Sequence, residues 1–119
     1  MRNFREYEVW KRAILFVKNV YEFSAKLPNK EKYNLISQIE RASISISSNI
    51  AEGASRNSEK DFARFIEIAL GSAFECENLL IISNSLGYTT ENQTKDMFEE
   101  LGTIQKMLNS LYGKLTGRN

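Results

Sequence analysis

The residue types that perform most enzymatic chemistry are scarce in this chain of 119 residues. It contains no histidine, which removes the commonest general acid–base group and the commonest nitrogen ligand for metals. The single cysteine, Cys76, can form neither an intramolecular disulfide nor a zinc motif. Glu67, Glu75 and Glu77 are carboxylates of the kind that di-iron helical bundles use, but such bundles also need Glu-x-x-His pairs. We therefore predict a protein that is not an enzyme, with no cofactor, metal or small-molecule substrate.

Basic side chains offer a different chemistry, because they can bind phosphate groups. The chain has 16 Lys and Arg against 15 Asp and Glu, a formal charge of +1, so the whole-molecule field does not require a nucleic-acid partner. Any such partner must instead be attracted by an uneven distribution of charge. The candidate nucleic-acid-binding residues are Arg2, Arg5, Lys11, Arg12, Arg56, Lys60 and Arg64.

Apolar residues at helical spacing divide the chain into four segments that can position these side chains. We predict helices over about residues 7–27, 30–52, 58–86 and 91–115. The single proline ends the first helix, and a polar residue precedes each of the others as an N-cap. The predicted boundary residues are Pro28, Asn29, Gly53, Ser58, Gly87 and Thr89 or Thr90.

The stretch at residues 43–47 alternates serine with isoleucine, which in isolation is typical of a strand. No other segment alternates, and a lone strand would lack a partner, so we predict helix here as well. Short connections between four helices of similar length favour antiparallel neighbours. The expected fold is all-α, an antiparallel up-down four-helix bundle that occupies residues 1–119 as one domain.

The first and third helices carry more apolar surface than one four-helix core can cover. Surplus apolar surface commonly marks an interface, so we predict a homo-oligomer. An alternative is that the wide apolar stripes only reflect a thick core. The candidate interface residues are Val9, Trp10, Phe16, Phe23, Phe62, Phe65 and Phe74.

Antiparallel topology would also separate charge between the two ends of the bundle. The end that holds the starts of helices one and three would carry ten basic and six acidic residues, a net charge of +4. The opposite end would carry five basic and eight acidic residues, a net charge of −3. In a ring of aligned subunits the positive ends would form one phosphate-attracting rim. A chance asymmetry of an ordinary solvated surface is the alternative.

Three runs of sequence resemble a known bacterial family: VWKRA at 9–13, QIERASISISSNIAEG at 38–53, which Arg56 follows, and FARFIEIALGSAFE at 62–75. They resemble the four-helix-bundle family of the 23S ribosomal RNA intervening-sequence proteins, and also the accessory variability determinants of diversity-generating retroelements. The resemblance implies a ring, typically a pentamer. For the retroelement relatives it also implies a basic surface that engages nucleic acid and a reverse transcriptase.

Most of the small and polar residues within these runs suit architecture better than ligand contact. We expect Ser48 and Asn49 to satisfy hydrogen bonds near a helix end, and Gly71 and Ser72 to admit a neighbouring helix. The arginines at 41, 56 and 64 can pair with Glu52, Glu67 or Glu75, or bind phosphate. The residues assigned to the structural motif are Arg41, Ser48, Asn49, Glu52, Gly53, Gly71 and Ser72.

Two functions remain open at this point. The first is an oligomeric accessory protein that binds RNA or a ribonucleoprotein through a basic end of the bundle. The second is a protein-interaction adaptor that uses the apolar surface of helices one and three. In either case we expect a cytoplasmic protein without a membrane partner, since the chain starts without a signal-peptide pattern and lacks a long apolar run.

Overall fold

A computed structural model of the chain describes residues 2–118. These residues form four α-helices and no β-strand, which confirms the all-α prediction. The helices are α1 (Glu8–Ser24), α2 (Ser37–Ala54), α3 (Glu59–Ser85) and α4 (Glu91–Thr116). Helix α1 packs against α2 and α4, and α3 packs against the same two helices, so α1 and α3 are not neighbours. None of the described helices is long and apolar enough to cross a membrane.

The start of the second segment differs from the prediction. Residues Asn29–Glu31 form a 3-10 turn and Lys32–Ile36 a π-helix, so α2 begins at Ser37 rather than near residue 30. Asn29 is therefore not the cap of an α-helix. The side chain of Glu31 instead accepts a hydrogen bond from the Leu35 amide at 3.4 Å. This wider turn changes which residues face the core before α2 starts.

Helices α3 and α4 begin at the predicted caps. The Ser58 hydroxyl accepts a hydrogen bond from the Asp61 amide at 3.1 Å. Thr90 and Gln93 form a capping box in which each side chain accepts a hydrogen bond from the other residue's amide, at 3.2 and 2.9 Å. Gly87 follows α3 with a φ of +78°, a conformation that glycine adopts without strain.

The serine–isoleucine stretch is helical, as predicted. The hydroxyl of Ser43 donates to the Glu40 carbonyl at 2.8 Å, and that of Ser47 donates to the Ile44 carbonyl at 3.1 Å. Both serines are buried, and bonding to a carbonyl one turn earlier satisfies them without a sheet partner. Small buried side chains at these positions also leave room for the flanking helices.

The core lies along the centre of the bundle, and every helix contributes to it. Its largest fully buried side chains include Phe16, Ile39, Ile46, Ile50, Phe62, Ile66, Leu80, Leu101, Ile104 and Leu108. The bundle is 43 Å long and 24 by 19 Å across. A helix of 27 residues such as α3 spans about 40 Å, so α3 runs along almost its entire length.

A polar chain links α2 to α3 in the middle of the bundle. The Asn49 amide donates to the Ser45 carbonyl at 2.8 Å and lies 3.0 Å from the Ser45 hydroxyl, which in turn lies 2.8 Å from the Ser72 hydroxyl. Asn49 therefore makes a hydrogen bond of the kind expected near the end of α2, whereas Ser72, expected to admit a neighbouring helix, hydrogen-bonds to one. Ser48 is exposed and takes no part in this chain.

Neither glycine of the structural motif has the role predicted for it. Gly53 does not end α2, which continues to Ala54, and its φ is not positive. A Cβ atom at Gly53 would lie 2.7 Å from the Phe65 Cβ and 2.9 Å from a ring carbon of Phe62, so α2 and α3 lie too close together here to admit a further methyl group. Gly71, expected to admit a neighbouring helix, would have no atom of a neighbouring helix within 4 Å of such a Cβ.

Cys76 is fully buried in α3, and burial raises the pKa of its thiol from 9.0 to about 12, with the Glu75 carboxylate adding to the shift. The thiol stays neutral in the folded chain but ionises near pH 9 once unfolded. Its contribution to stability is therefore complete below pH 9 and is lost as the pH rises from 9 to about 12.

We expect two measurable consequences for this thiol. A thiol reagent should modify the native protein only at the rate of unfolding, because the thiolate is the reactive form. Between pH 9 and 12 the unfolding free energy of the wild type should fall more steeply than that of Cys76→Ala, by at most about 1.4 kcal/mol per pH unit. Rapid labelling of the native protein, or equal slopes, would contradict this assignment.

Candidate nucleic-acid interface

The basic side chains at the connection between α2 and α3 gather around two phenylalanine rings. The guanidinium carbon of Arg56 lies 4.6 Å from the centroid of the Phe65 ring, and that of Arg64 lies 5.5 Å from the same centroid. Arg2 lies over Phe62, 4.9 Å from its centroid. We call these five residues the arginine corner. It brings together three of the seven candidate nucleic-acid-binding residues.

Arg2 holds the corner together from the N-terminal side. One of its amino groups donates to the Arg56 carbonyl at 2.7 Å and lies 3.5 Å from the Ala54 carbonyl. These contacts satisfy carbonyls at the end of α2, where no further helical turn can do so. The ring of Tyr7 also packs edge-on against Phe62, with centroids 5.8 Å apart.

The two outer arginines form ion pairs only with residues close in sequence. Arg56 lies 3.3 Å from Glu52, and Arg64 lies 3.9 Å from Asp61. The side chains of Arg56 and Arg64 remain 41% and 66% exposed, so both pairs are surface pairs that contribute little to stability. Of the acidic partners considered from the sequence, only Glu52 is used. Phosphate can therefore compete for both guanidinium groups.

Arg41, the third arginine left open by the sequence, lies elsewhere. Its guanidinium donates to the Ser37 hydroxyl at 2.9 Å, one turn earlier on α2. It lines a shallow groove between α1 and α2 together with Tyr21, Tyr33 and Ile44. Arg41 is therefore not part of the arginine corner.

Lys60 extends the basic surface towards α4. It lines a groove between α3 and α4 with Arg64 and Tyr112. Arg118 lies over the ring of Tyr112, with 5.6 Å between the guanidinium carbon and the centroid. Lys114, on the last turn of α4, lines a second groove beside α1. Lys114 and Arg118 were not among the candidate nucleic-acid-binding residues. Their position at the end of the fourth helix was the sequence feature that could have identified them.

The remaining basic candidates do not join this surface equally. Arg5 lies over Phe4, 4.9 Å from the centroid, and Lys11 is exposed on α1. Arg12 lies 3.2 Å from Glu100 on α4 and 4.0 Å from Glu8. Arg12 therefore joins α1 to α4, and its role as a phosphate contact stays a prediction.

Most of the candidate interface residues face the core of their own subunit. Val9, Phe16 and Phe62 are buried, so their assignment to an interface between copies is wrong. Trp10 and Phe23 are partly buried and pack against the core. Phe65 is partly buried. Phe74 alone is strongly exposed, at 54%. The helical stripe through Val9 and Phe16 belongs to the core, and the neighbouring one carries the exposed surface.

The large exposed apolar side chains concentrate on two helices. Those of α1 are Ile14, Leu15 and Tyr21, and those of α3 are Ile68, Phe74, Ile81 and Ile82. Helix α2 adds only Ile44, and α4 adds none. Because α1 and α3 are both flanked by α2 and α4, their outer surfaces point in opposite directions.

Polar contacts also hold the connection between α1 and α2 and the connection between α3 and α4. The Tyr88 hydroxyl donates to the Glu31 carboxylate at 2.8 Å, and this hydrogen bond raises the pKa of Tyr88. The Asn84 amide bridges the hydroxyls of Thr89 and Thr94 where α3 turns into α4. Residues 2–118 contain no group of three or more His, Cys, Asp or Glu side chains placed to hold a metal ion.

Comparisons with known proteins agree with this architecture. The family model described as the 23S rRNA-intervening sequence protein matches residues 5–110. A crystal structure of a protein of unknown function from the S23 ribosomal protein family of Bacteroides thetaiotaomicron superimposes with a TM-score of 0.81 at 28% identity. The superposition covers 87% of this chain and 97% of that protein. No curated protein matches the sequence. Since the family model covers most of the chain, the protein belongs to the 23S rRNA-intervening sequence protein family.

Proposed function

We propose that the protein is a non-catalytic, cytoplasmic accessory protein that binds RNA, free or within a ribonucleoprotein such as one built on a reverse transcriptase. It acts as a closed ring of antiparallel four-helix bundles, with a pentamer favoured. The observation that carries the proposal is the arginine corner, where three guanidinium groups gather around two phenylalanine rings. The family description, which refers to ribosomal RNA, supports RNA as the class of partner.

Contacts between the ends of helices support the antiparallel arrangement. Arg2, just before α1, bonds to the end of α2. Tyr7 packs on Phe62 at the start of α3. Lys60 on the first turn of α3 shares a groove with Thr116 at the end of α4. The basic residues of these four helix ends therefore lie at one end of the subunit, which we call the basic end.

The distribution of exposed apolar surface supports the ring. A contact between the α1 surface of one copy and the α3 surface of the next uses two different patches that face opposite directions. Such head-to-tail contacts close into rings when the rotation between copies permits. They would cover Ile14 and Tyr21 on one copy and Phe74 and Ile81 on the next. With the subunits aligned along the ring axis, the basic ends lie on the same rim.

Binding to RNA should depend on charge at the basic end. We expect Lys60→Gln with Arg64→Gln to weaken RNA binding and to make its salt dependence shallower, by about 0.7–0.9 in the logarithmic slope for each phosphate that the variant no longer neutralises. Fluorescence anisotropy with a labelled structured RNA over a range of salt concentrations measures both quantities. The matched control is Lys26→Gln with Lys95→Gln, which removes the same charge from exposed positions away from the basic end.

The comparison between the two double variants decides the proposal. An equal reduction of affinity in both would mean that net charge, not the basic end, governs binding. Undetectable binding of the wild type at low salt would refute the RNA-binding role itself.

The exposed apolar side chains also favour a second candidate function, an adaptor that holds a helix of another protein against α1 or α3. Moderate salt has little effect on binding through buried apolar surface, but it weakens binding through phosphate contacts. A partner complex retained at high salt, together with a subunit that does not self-associate, would favour the adaptor. Salt-sensitive RNA binding by a ring would favour the leading proposal.

A further inference from the structure

Two guanidinium groups, those of Arg56 and Arg64, lie over the Phe65 ring. Attraction to phosphate alone does not explain why both lie beside the same ring. Two like charges beside one ring repel each other, and the ring itself offsets only part of that cost. Their acidic neighbours, Glu52 and Asp61, form only exposed ion pairs. An anionic ligand would offset this repulsion. A ligand with a flat surface would also stack on the guanidinium groups.

The chemistry of arginine narrows the class of ligand. A guanidinium is planar and weakly hydrated on its faces, so it can stack on one ring with one face and on another with the opposite face. With Arg56 41% and Arg64 66% exposed, part of each guanidinium remains open to solvent while Phe65 lies against it. Residues 55–61 are all exposed, so a ligand can approach without moving a helix.

Resting on the proposed RNA-binding function, we propose that Arg56, Arg64 and Phe65 form a stacking platform for unpaired nucleotides, so that the protein binds single-stranded or looped RNA in preference to duplex RNA. Unpaired bases expose their faces and stack on aromatic or guanidinium planes. In a duplex these faces are covered by neighbouring bases, and the major groove is too narrow for side chains to read. The phosphates beside an unpaired base contact the same guanidinium groups.

The backbone of the corner is fixed in a way that suits this role. Arg2 donates to the Arg56 carbonyl at 2.7 Å, which holds the residue that bears one of the two stacking groups. The Cβ atom of Phe65 packs beside Gly53, where α2 and α3 lie too close together to admit a further methyl group. The backbone that carries the platform is therefore positioned before any ligand arrives, which reduces the conformational entropy lost on binding.

Exchange of arginine for lysine separates stacking from charge. Arg56→Lys with Arg64→Lys keeps both positive charges but removes both planar groups. We expect its affinity for a short unstructured RNA to fall by about fivefold, the size expected for two exposed stacking contacts, while its affinity for a blunt RNA duplex changes less than about twofold. The salt slope should stay unchanged for both RNAs, since the number of charges is the same.

The control is Arg41→Lys, the same exchange at an arginine that contacts a hydroxyl and no ring. It should leave both affinities unchanged. If the double variant loses affinity for duplex and unstructured RNA equally, or for neither, the stacking platform is refuted while RNA binding through charge stands. If the wild type binds neither RNA at low salt, both this inference and the proposed function are overturned.

Discussion

Replacement of Gly53 with alanine is expected to destabilise the folded protein by up to about 2 kcal/mol. The added Cβ would lie 2.7 Å from the Phe65 Cβ and 3.3 Å from the Phe62 carbonyl oxygen. Neither of these atoms is the end of a flexible side chain, so α2 and α3 would have to separate. Overpacking of this kind typically costs about 1–3 kcal/mol, more than the roughly 1 kcal/mol that alanine gains over glycine within a helix.

Gly102→Ala provides the matched control for this variant. Gly102 lies within α4, and no atom of another helix lies within 4 Å of the position of a Cβ there. Alanine should therefore stabilise the protein by about 0.5–1 kcal/mol through helix propensity alone. Urea denaturation at one fixed protein concentration measures both changes. A Gly53→Ala protein as stable as the wild type would show that α2 and α3 are less closely packed than described.

The second large effect concerns self-association. We expect Ile14→Asp and Phe74→Asp each to weaken association by about a hundredfold or more, because each places an unpaired charge inside the proposed contact. Both side chains are exposed in the subunit, at 42% and 54%, so the fold should survive, as far-UV circular dichroism can show. Asn109→Asp adds the same charge to exposed α4 and should leave association unchanged.

Mixing the two interface variants tests whether the contact is head-to-tail. An Ile14→Asp subunit keeps its α3 surface intact, and a Phe74→Asp subunit keeps its α1 surface intact. Together they can form one sound contact but cannot close a ring, so sedimentation velocity should detect a mixed dimer that neither variant forms alone. A mixture that remains monomeric, while the wild type assembles, would refute the head-to-tail contact. A dimer formed by either variant alone would indicate contacts between identical patches instead.

The helical architecture was predictable because several independent signals in the sequence agree. The caps at Ser58 and Thr90 and the glycine at 87 mark real helix boundaries, since each satisfies backbone groups that are free at a helix end. The serine–isoleucine stretch was predictable as helix from the pattern around it. The π-helix at Lys32–Ile36 was not, because a segment of five residues is too short to reveal a shift in apolar periodicity.

The candidate sites were less predictable than the helices, and the reason is geometric. Periodicity shows that α1 has two adjacent apolar stripes, but only packing decides that the stripe with Phe16 is buried and the stripe with Ile14 is exposed. The roles of Gly53 and Gly71 depend on where a neighbouring helix approaches, which a single helix cannot indicate. Arg12 likewise resembles its basic neighbours until α4 brings Glu100 to it.

Self-association of the wild type is the claim on which the shared basic rim depends. Sedimentation equilibrium at micromolar concentration tests it directly, because the subunit mass is 13.7 kDa and any closed ring has an integral multiple of that mass. We predict one discrete species of several subunits, five being favoured, that persists on dilution. A single species of 13.7 kDa at every concentration would contradict the account.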